Sequence, residues 1–260
     1  MIRGIYTAAS GMLADQRRLD VVANNLANAS TTGFKRETTI SRSFSEFLIQ
    51  RTHDSAPATQ ALPQQVGRLG IGTYVVNTAT RLTTGNMQPT GNPLDVAIVG
   101  DGFFAVNTPQ GVRYTRQGSF RQNGDGTLVT PEGYEVLVDG SPVQAAEGSL
   151  SITADGDVMA GEQNLGRLTV VTTLDLGAIR KEGNGLWAPA GAGEFTTLVT
   201  PAETSGQYTL RAGYLESSNV ESVTEMVEMM TIMRSFEASQ KALQAQDETL
   251  QKAVTEVGRV

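Results

Sequence analysis

Ala23-Asn24-Asn25-Leu26-Ala27-Asn28-Ala29-Ser30-Thr31-Thr32-Gly33-Phe34-Lys35 is the stretch on which the reading of this chain turns. It lies where a helical pattern gives out. Upstream of it, Ile5, Met12, Leu19 and Leu26 recur every seven residues, and Ile2, Ala9, Gln16 and Ala23 fill the partner positions. Such alternation of three and four is the narrow seam of a coiled coil. At roughly 1.5 Å per residue the predicted helix is about 35–40 Å long. It is expected to stop before Gly33, after the polar run 28–32. Asn24, Asn25 and Asn28 have two readings. Asparagine is a poor helix former that suits a fraying C-terminus; its amide can also bond to neighbouring backbone at a packed interface.

The other end of the chain repeats the pattern. Met229, Phe236, Leu243, Leu250 and Val257 form one line, and Met226, Met233, Gln240, Asp247 and Val254 the other. Ser218 with Glu221, and Ser222 with Glu225, have the spacing of a capping box. No Pro or Gly interrupts 219–257, which predicts one long helix. Residues 1–36 carry five basic and two acidic residues, and residues 216–260 eight acidic and four basic. Opposite charge favours pairing of the two helices, although exposed pairs contribute at most about 1 kcal/mol each. A narrow seam on helices this long can be satisfied within one chain, or it can also pack against copies of the chain.

Between the ends the sequence reads as β. Residues 114–122 and 128–130 flank Asn123-Gly124-Asp125-Gly126, a strong hairpin turn signal. Thr130-Pro131-Glu132-Gly133 is a further turn, and 134–138, 151–153, 157–159, 167–174 and 207–212 are further strands. Short, closely spaced strands suggest an antiparallel sandwich or barrel. The predicted class is therefore α+β, in three parts. Residues 1–34 and 217–260 form a terminal coiled-coil pair, 35–72 an extended or irregular connector, and 73–216 the central β domain. A connector this long is either functional or ordered only on binding.

Composition narrows the function classes. The chain has 260 residues, a net charge of −7, no cysteine and a single histidine, His53. An acidic chain without a basic run is a poor nucleic-acid binder. Thiolate metal sites and cysteine nucleophiles are excluded, and a triad or multi-histidine metal centre would have to be built around His53 alone. Gly67-Arg68-Leu69-Gly70-Ile71-Gly72 lacks the ending of a phosphate-binding loop. Asp125-Gly126 and Asp155-Gly156-Asp157 lack the full calcium-loop spacing and read as turns. Asp95 and Asp101 offer a weak carboxylate pair of the glycosidase kind. No segment is long and apolar enough to span a bilayer or to form a signal-peptide core.

The quoted run 23–35 closely resembles the N-terminal signature of the flagellar axial family of rod and hook proteins. Gly213-Tyr214-Leu215-Glu216-Ser217-Ser218-Asn219-Val220 resembles that family's second signature. Asp95-Val96-Ala97-Ile98-Val99-Gly100-Asp101-Gly102-Phe103-Phe104-Ala105-Val106, with Tyr114-Thr115-Arg116-Gln117-Gly118-Ser119-Phe120, resembles its shared β domain. The length favours a rod type, distal or proximal, over the hook. The stretch 33–72 favours the distal type, whose corresponding segment is implied to stiffen the rod.

The resemblance implies a structural subunit of the basal-body rod, without catalytic activity, cofactor or metal. It would be exported unfolded, without a cleaved leader, and would assemble into a helical tube that transmits torque. Implied partners are copies of itself, other rod and hook subunits, the flagellar export apparatus and ring proteins around the rod, with no nucleic acid. The expected assembly interface comprises Ile5, Met12, Leu19, Leu26, Met229, Phe236, Leu243 and Leu250, together with Asn24, Asn25 and Asn28. Two alternatives stand beside it: a hook or hook-associated axial subunit, and a secreted hydrolase of cell-wall polysaccharide with helical ends as anchors.

Overall fold

The computed structural model describes residues 2–44, 47–50, 65–145, 148–172, 179–189, 196–198 and 208–257. The chain divides into two compact units. One comprises residues 1–27, 37–81 and 221–260, the other 28–36 and 82–220. The chain therefore passes from one unit to the other four times. Residues 37–81, which include most of the expected connector, group with the helices in the first unit.

The first unit holds both predicted helices. Helix α1 spans Ile2–Ala27 and α2 spans Ser222–Val257. They run antiparallel: Asn25 bonds to Glu225 near one end of α1, and a methyl group added at Gly4 near the other would meet the Gln246 amide. At about 1.5 Å per residue α1 is about 39 Å long and α2 about 54 Å, so α2 outruns its partner. Against α1 lies an antiparallel ribbon of β1 (Glu37–Ser43) and β4 (Thr73–Thr80). Between them in sequence, β2 (Phe47–Gln50) pairs with β3 (Gln65–Leu69). β1 and β4 are rich in Thr, Val, Ile and Tyr, which suits a half-buried strand. The ribbon is held to α1 by Thr73 N–H donating to Ser10 Oγ (3.3 Å), and Phe44 stacks at a tilt on Tyr74 (5.0 Å).

Among the described residues, the regular structure of the second unit is β. Every strand pairing among the described residues is antiparallel. Among the described residues its largest sheet has ten strands, with β7 (Phe103–Thr108) near the centre, flanked by β8 (Gly111–Thr115) and Glu135–Val138. Leu150–Ile152, Asp157–Ala160 and Gln163–Arg167 form a three-stranded sheet. Tyr208–Ala212 pairs with β6 (Val96–Gly100), and Tyr214–Glu216 pairs with β5 (Met87–Pro89). Val96, Ile98, Phe104, Phe120, Leu128, Val136, Leu150, Val158 and Val170 share one core drawn from three of these sheets. Phe104 meets Phe120 edge to face at 5.1 Å, the arrangement aromatic quadrupoles prefer.

The Asn-Gly-Asp-Gly turn forms as expected. Asn123 N–H donates to Thr127 O and Gly126 N–H to Asn123 O, joining Arg121–Gln122 to Leu128–Val129. Gly126 has φ +80°, a conformation that costs glycine little. His53 lies outside the described residues.

Candidate functional site

In the helix pair, the inward faces differ from the heptad reading by one residue on one line. Ile5, Met12, Leu19 and Leu26 are half-buried, as are Met229, Phe236, Leu243 and Leu250. In the second line Asp15 and Val22 are buried while Gln16 and Ala23 are exposed, and Ala8 and Ala9 are both half-buried. On α2 the second inward line is Glu225, Ile232, Ser239, Gln246 and Ala253, not Met226, Met233, Gln240, Asp247 and Val254. The spacing remains heptad. Asp15, Glu225, Ser239 and Gln246 are polar, so an apolar search settles one residue to the side.

The slip leaves a second apolar line facing outward. Val223, Met226, Val227, Met230 and Met233 fall on one face of α2, linked by steps of three and four, with Met226 and Val227 side by side, and each is 45–70 % exposed. On α1, Tyr6 and Leu13 are exposed to a similar degree. An open groove of about 790 Å³ lies between α1 and the β1–β4 ribbon, lined among others by Leu13, Arg17, Asp20, Phe44, Tyr74 and Val76. No residue of α2 lines it. Arg18 and Glu228 form an interhelical ion pair, partly exposed at 3.9 Å, a geometry worth under about 1 kcal/mol.

The three asparagines have different fates. Asn25 is buried. Its amide donates to Glu37 O (2.8 Å) and Glu225 Oε2 (3.2 Å) and its carbonyl accepts from Glu37 N–H (3.0 Å). One side chain thus ties α1, β1 and α2 together. Asn28 accepts from Thr31 Oγ1 and, through its carbonyl, from Thr31 N–H, which closes the turn after α1. Asn24 is exposed.

The second unit contains a buried ionic cluster that composition and spacing did not reveal. Lys35 Nζ lies 2.6 Å from Glu216 Oε1, and Arg116 Nε 2.9 Å from Glu216 Oε2. The Lys35 and Glu216 side chains are each 1 % exposed. Glu216 also accepts from Gly85 N–H, and Lys35 donates to Thr83 O. Arg116 donates to the carbonyls of Ile98, Gly100 and Gly102, at the turn from β6 to β7. Around the cluster, Gly33 N–H donates to Glu216 O (2.8 Å) and Arg36 N–H to Asn219 Oδ1 (2.7 Å). Asn219 Nδ2 donates to Thr83, and the Lys181 ammonium sits 3.7 Å above the Phe34 ring. Burial works to raise the Glu216 pKa, but the Arg116 guanidinium and the Lys35 ammonium hold it below the usual carboxylate value.

The cluster takes one side chain from each of the three quoted motifs: Lys35, Arg116 and Glu216. Asp95, half of the weak carboxylate pair, is buried and accepts from Asn92 Nδ2 (3.0 Å), while its backbone carbonyl accepts from Gly213 N–H. Asp101 is exposed. Asp95 is thus used within the fold.

Comparison with known proteins follows the same three segments. A model of the flagella basal body rod protein matches residues 5–35. The D1 domain of the flagellar hook protein FlgE/F/G matches 97–160, and the flagellar basal body rod FlgEFG protein C-terminal region matches 211–256. The chain is 37 % identical to the flagellar basal-body rod protein FlgG of Borreliella burgdorferi, over 96 % of this chain and 97 % of that protein. It is 34 % identical to the flagellar basal-body rod protein FlgF of Caulobacter vibrioides, and 30 % identical to the flagellar hook-basal body complex protein FlhO of Bacillus subtilis. Each of these two matches covers 100 % of both chains. With helices at both ends, a β region between them and relatives aligned along its whole length, this chain belongs to the family of flagellar basal-body rod proteins and is a structural subunit, FlgG-like or FlgF-like.

Proposed function

We propose that this subunit polymerises with copies of itself into the axial rod of the basal body through its first unit, using two faces that one copy cannot bring together. One face is the outward Val223–Met226–Val227–Met230–Met233 line. The other is the groove between α1 and the β1–β4 ribbon. The observation that carries the reading is the exposed apolar line on a helix whose opposite side is already occupied by α1. A contiguous apolar stripe left in water marks an interaction surface. Contact between unlike faces is heterologous and builds an open helical array when the rotation does not close.

The inward residues Ile5, Met12, Leu19, Leu26, Met229, Phe236, Leu243 and Leu250, with Asn25, would hold the pair as a coiled coil and so set the outward line in place. Asn24 and Asn28 would lie at the edge of the contact. We read the three sheets that share one core as a sandwich that offers contacts to neighbouring rod and hook subunits. Export as an unfolded chain and torque transmission follow from the family reading. Position along the rod, distal or proximal, is open to either type of relative.

The test is polymerisation at high protein concentration, followed by sedimentation and electron microscopy. Wild-type protein is expected to form tubes. Met226→Glu with Met230→Glu is expected to remain monomeric with an unchanged melting temperature. Tubes of normal symmetry from that variant would exclude this face.

A further inference from the structure

The ionic cluster is asymmetric in what each member can do without the others. Arg116 has three carbonyl acceptors, from Ile98, Gly100 and Gly102, all close to it in sequence. Its charge is solvated by the fold whether or not Glu216 is present. Glu216 needs Arg116, but it also takes Gly85 N–H, and its strand pairs with β5. Lys35 is in the weakest position. Apart from Glu216 it has one carbonyl, Thr83 O, and it is buried beside the Arg116 cation, which disfavours its charge. A buried ammonium facing a guanidinium, without the carboxylate between them, is strongly unfavourable.

The backbone around Lys35 has the same dependence. Gly33 N–H and Arg36 N–H bond to Glu216 and Asn219, and Phe34 O accepts from Asn219 N–H. We propose that the cluster is an ordering device: residues 28–36 cannot dock until Glu216 has bound Arg116, so the N-terminal joint of the β unit is the last to close. The sequence is Arg116 first, Glu216 second, Lys35 third. In any chain that appears N-terminus first, synthesis included, residues 28–36 then wait for residues 213–220, which are about 180 positions later. Through residues 28–36 the chain leaves α1 and enters β1, so the same step fixes both ends of that connection.

The experiment is hydrogen exchange read by mass spectrometry on the full-length chain, comparing peptides over 28–36, 98–106 and 213–220. Glu216→Gln is expected to raise exchange at 28–36 by about tenfold or more, while 98–106 keeps its protection. Lys35→Met is expected to leave 213–220 protected, because Glu216 still has Arg116. The double variant is expected to regain most of the protection at 28–36, since the isolated cation is gone. In pulse-labelled refolding of the wild type, 28–36 should gain protection after 213–220. The proposal is overturned if 28–36 is protected first, if Glu216→Gln leaves 28–36 unchanged or unfolds 98–106 along with it, or if Lys35→Met gives no rescue.

Discussion

Asn25 and Gly33 show how much of the N-terminal signature is local chemistry. Asn25 supplies a donor and an acceptor to one residue, Glu37, and a second donor to Glu225, a pattern that glutamine is too long and aspartate too poor in donors to reproduce. Gly33 has φ +68°, and a methyl group there would lie 2.7 Å from the backbone carbonyl of Arg116. Gly33→Ala should therefore cost about 1–3 kcal/mol, visible as a lower denaturant midpoint for the β unit. Glu216 also gives a pH signature. Its carboxyl is held below the ordinary 4.5 in the fold, so its contribution is complete above that value and is lost as pH falls from there through the lower folded-state value. Lys35 and Arg116 face it, and Asp101 is the further carboxylate felt by Lys35. Unfolding free energy of the wild type should fall more steeply below pH 4.5 than that of Glu216→Gln, with the two curves converging at low pH. Parallel curves would mean that the carboxylate gains nothing from its cations. No sequence pattern could pair Lys35 with Glu216, because 181 positions separate them and neither sits in a periodic stretch. The Asn123–Gly126 turn was legible because its hydrogen bonds close within five residues.

At the scale of elements, both helices were legible and one line of each seam was placed one residue to the side. The physical reason is that the true inward line of α2 mixes Ile232 with Glu225, Ser239 and Gln246, whereas the neighbouring outward line contains Met226 and Met233. Hydrophobicity alone ranks the outward line higher. Burial ranks it lower, because Glu225 has Asn25 as a partner. The two lines make opposite predictions. Ile232→Ala, at a site 2 % exposed, should destabilise the helix pair by about 2–5 kcal/mol, read as a lower thermal midpoint of the helical circular dichroism signal in the unassembled protein. A midpoint equal to wild type would mean that the pair forms only on assembly. The ribbon β1–β4 was not legible. Its strands are separated by residues 44–72 and its burial is half-hearted on both faces, so neither turn chemistry nor strict alternation announced it.

For the molecule as a whole, the two compact units imply a specific fragment. Residues 28–220 should fold cooperatively and sediment as a monomer, since that span holds the β core, all three charges of the cluster and Phe34. A fragment beginning at residue 82 should unfold at lower denaturant, because Lys35 and Phe34 are then missing from their sites. Equal midpoints would show that residues 28–36 add nothing to the unit. The sequence-based boundaries, at 34/35, 72/73 and 216/217, follow changes in local sequence pattern. Membership in a compact unit depends instead on packing between distant segments, as for residues 37–81, which group with the helices. The four passages between the units, at residues 27/28, 36/37, 81/82 and 220/221, have a topological consequence. The first unit is stitched from three separated stretches of chain and the second from two. No single cut of the backbone therefore parts one unit from the other, and each is complete only when distant stretches have found each other.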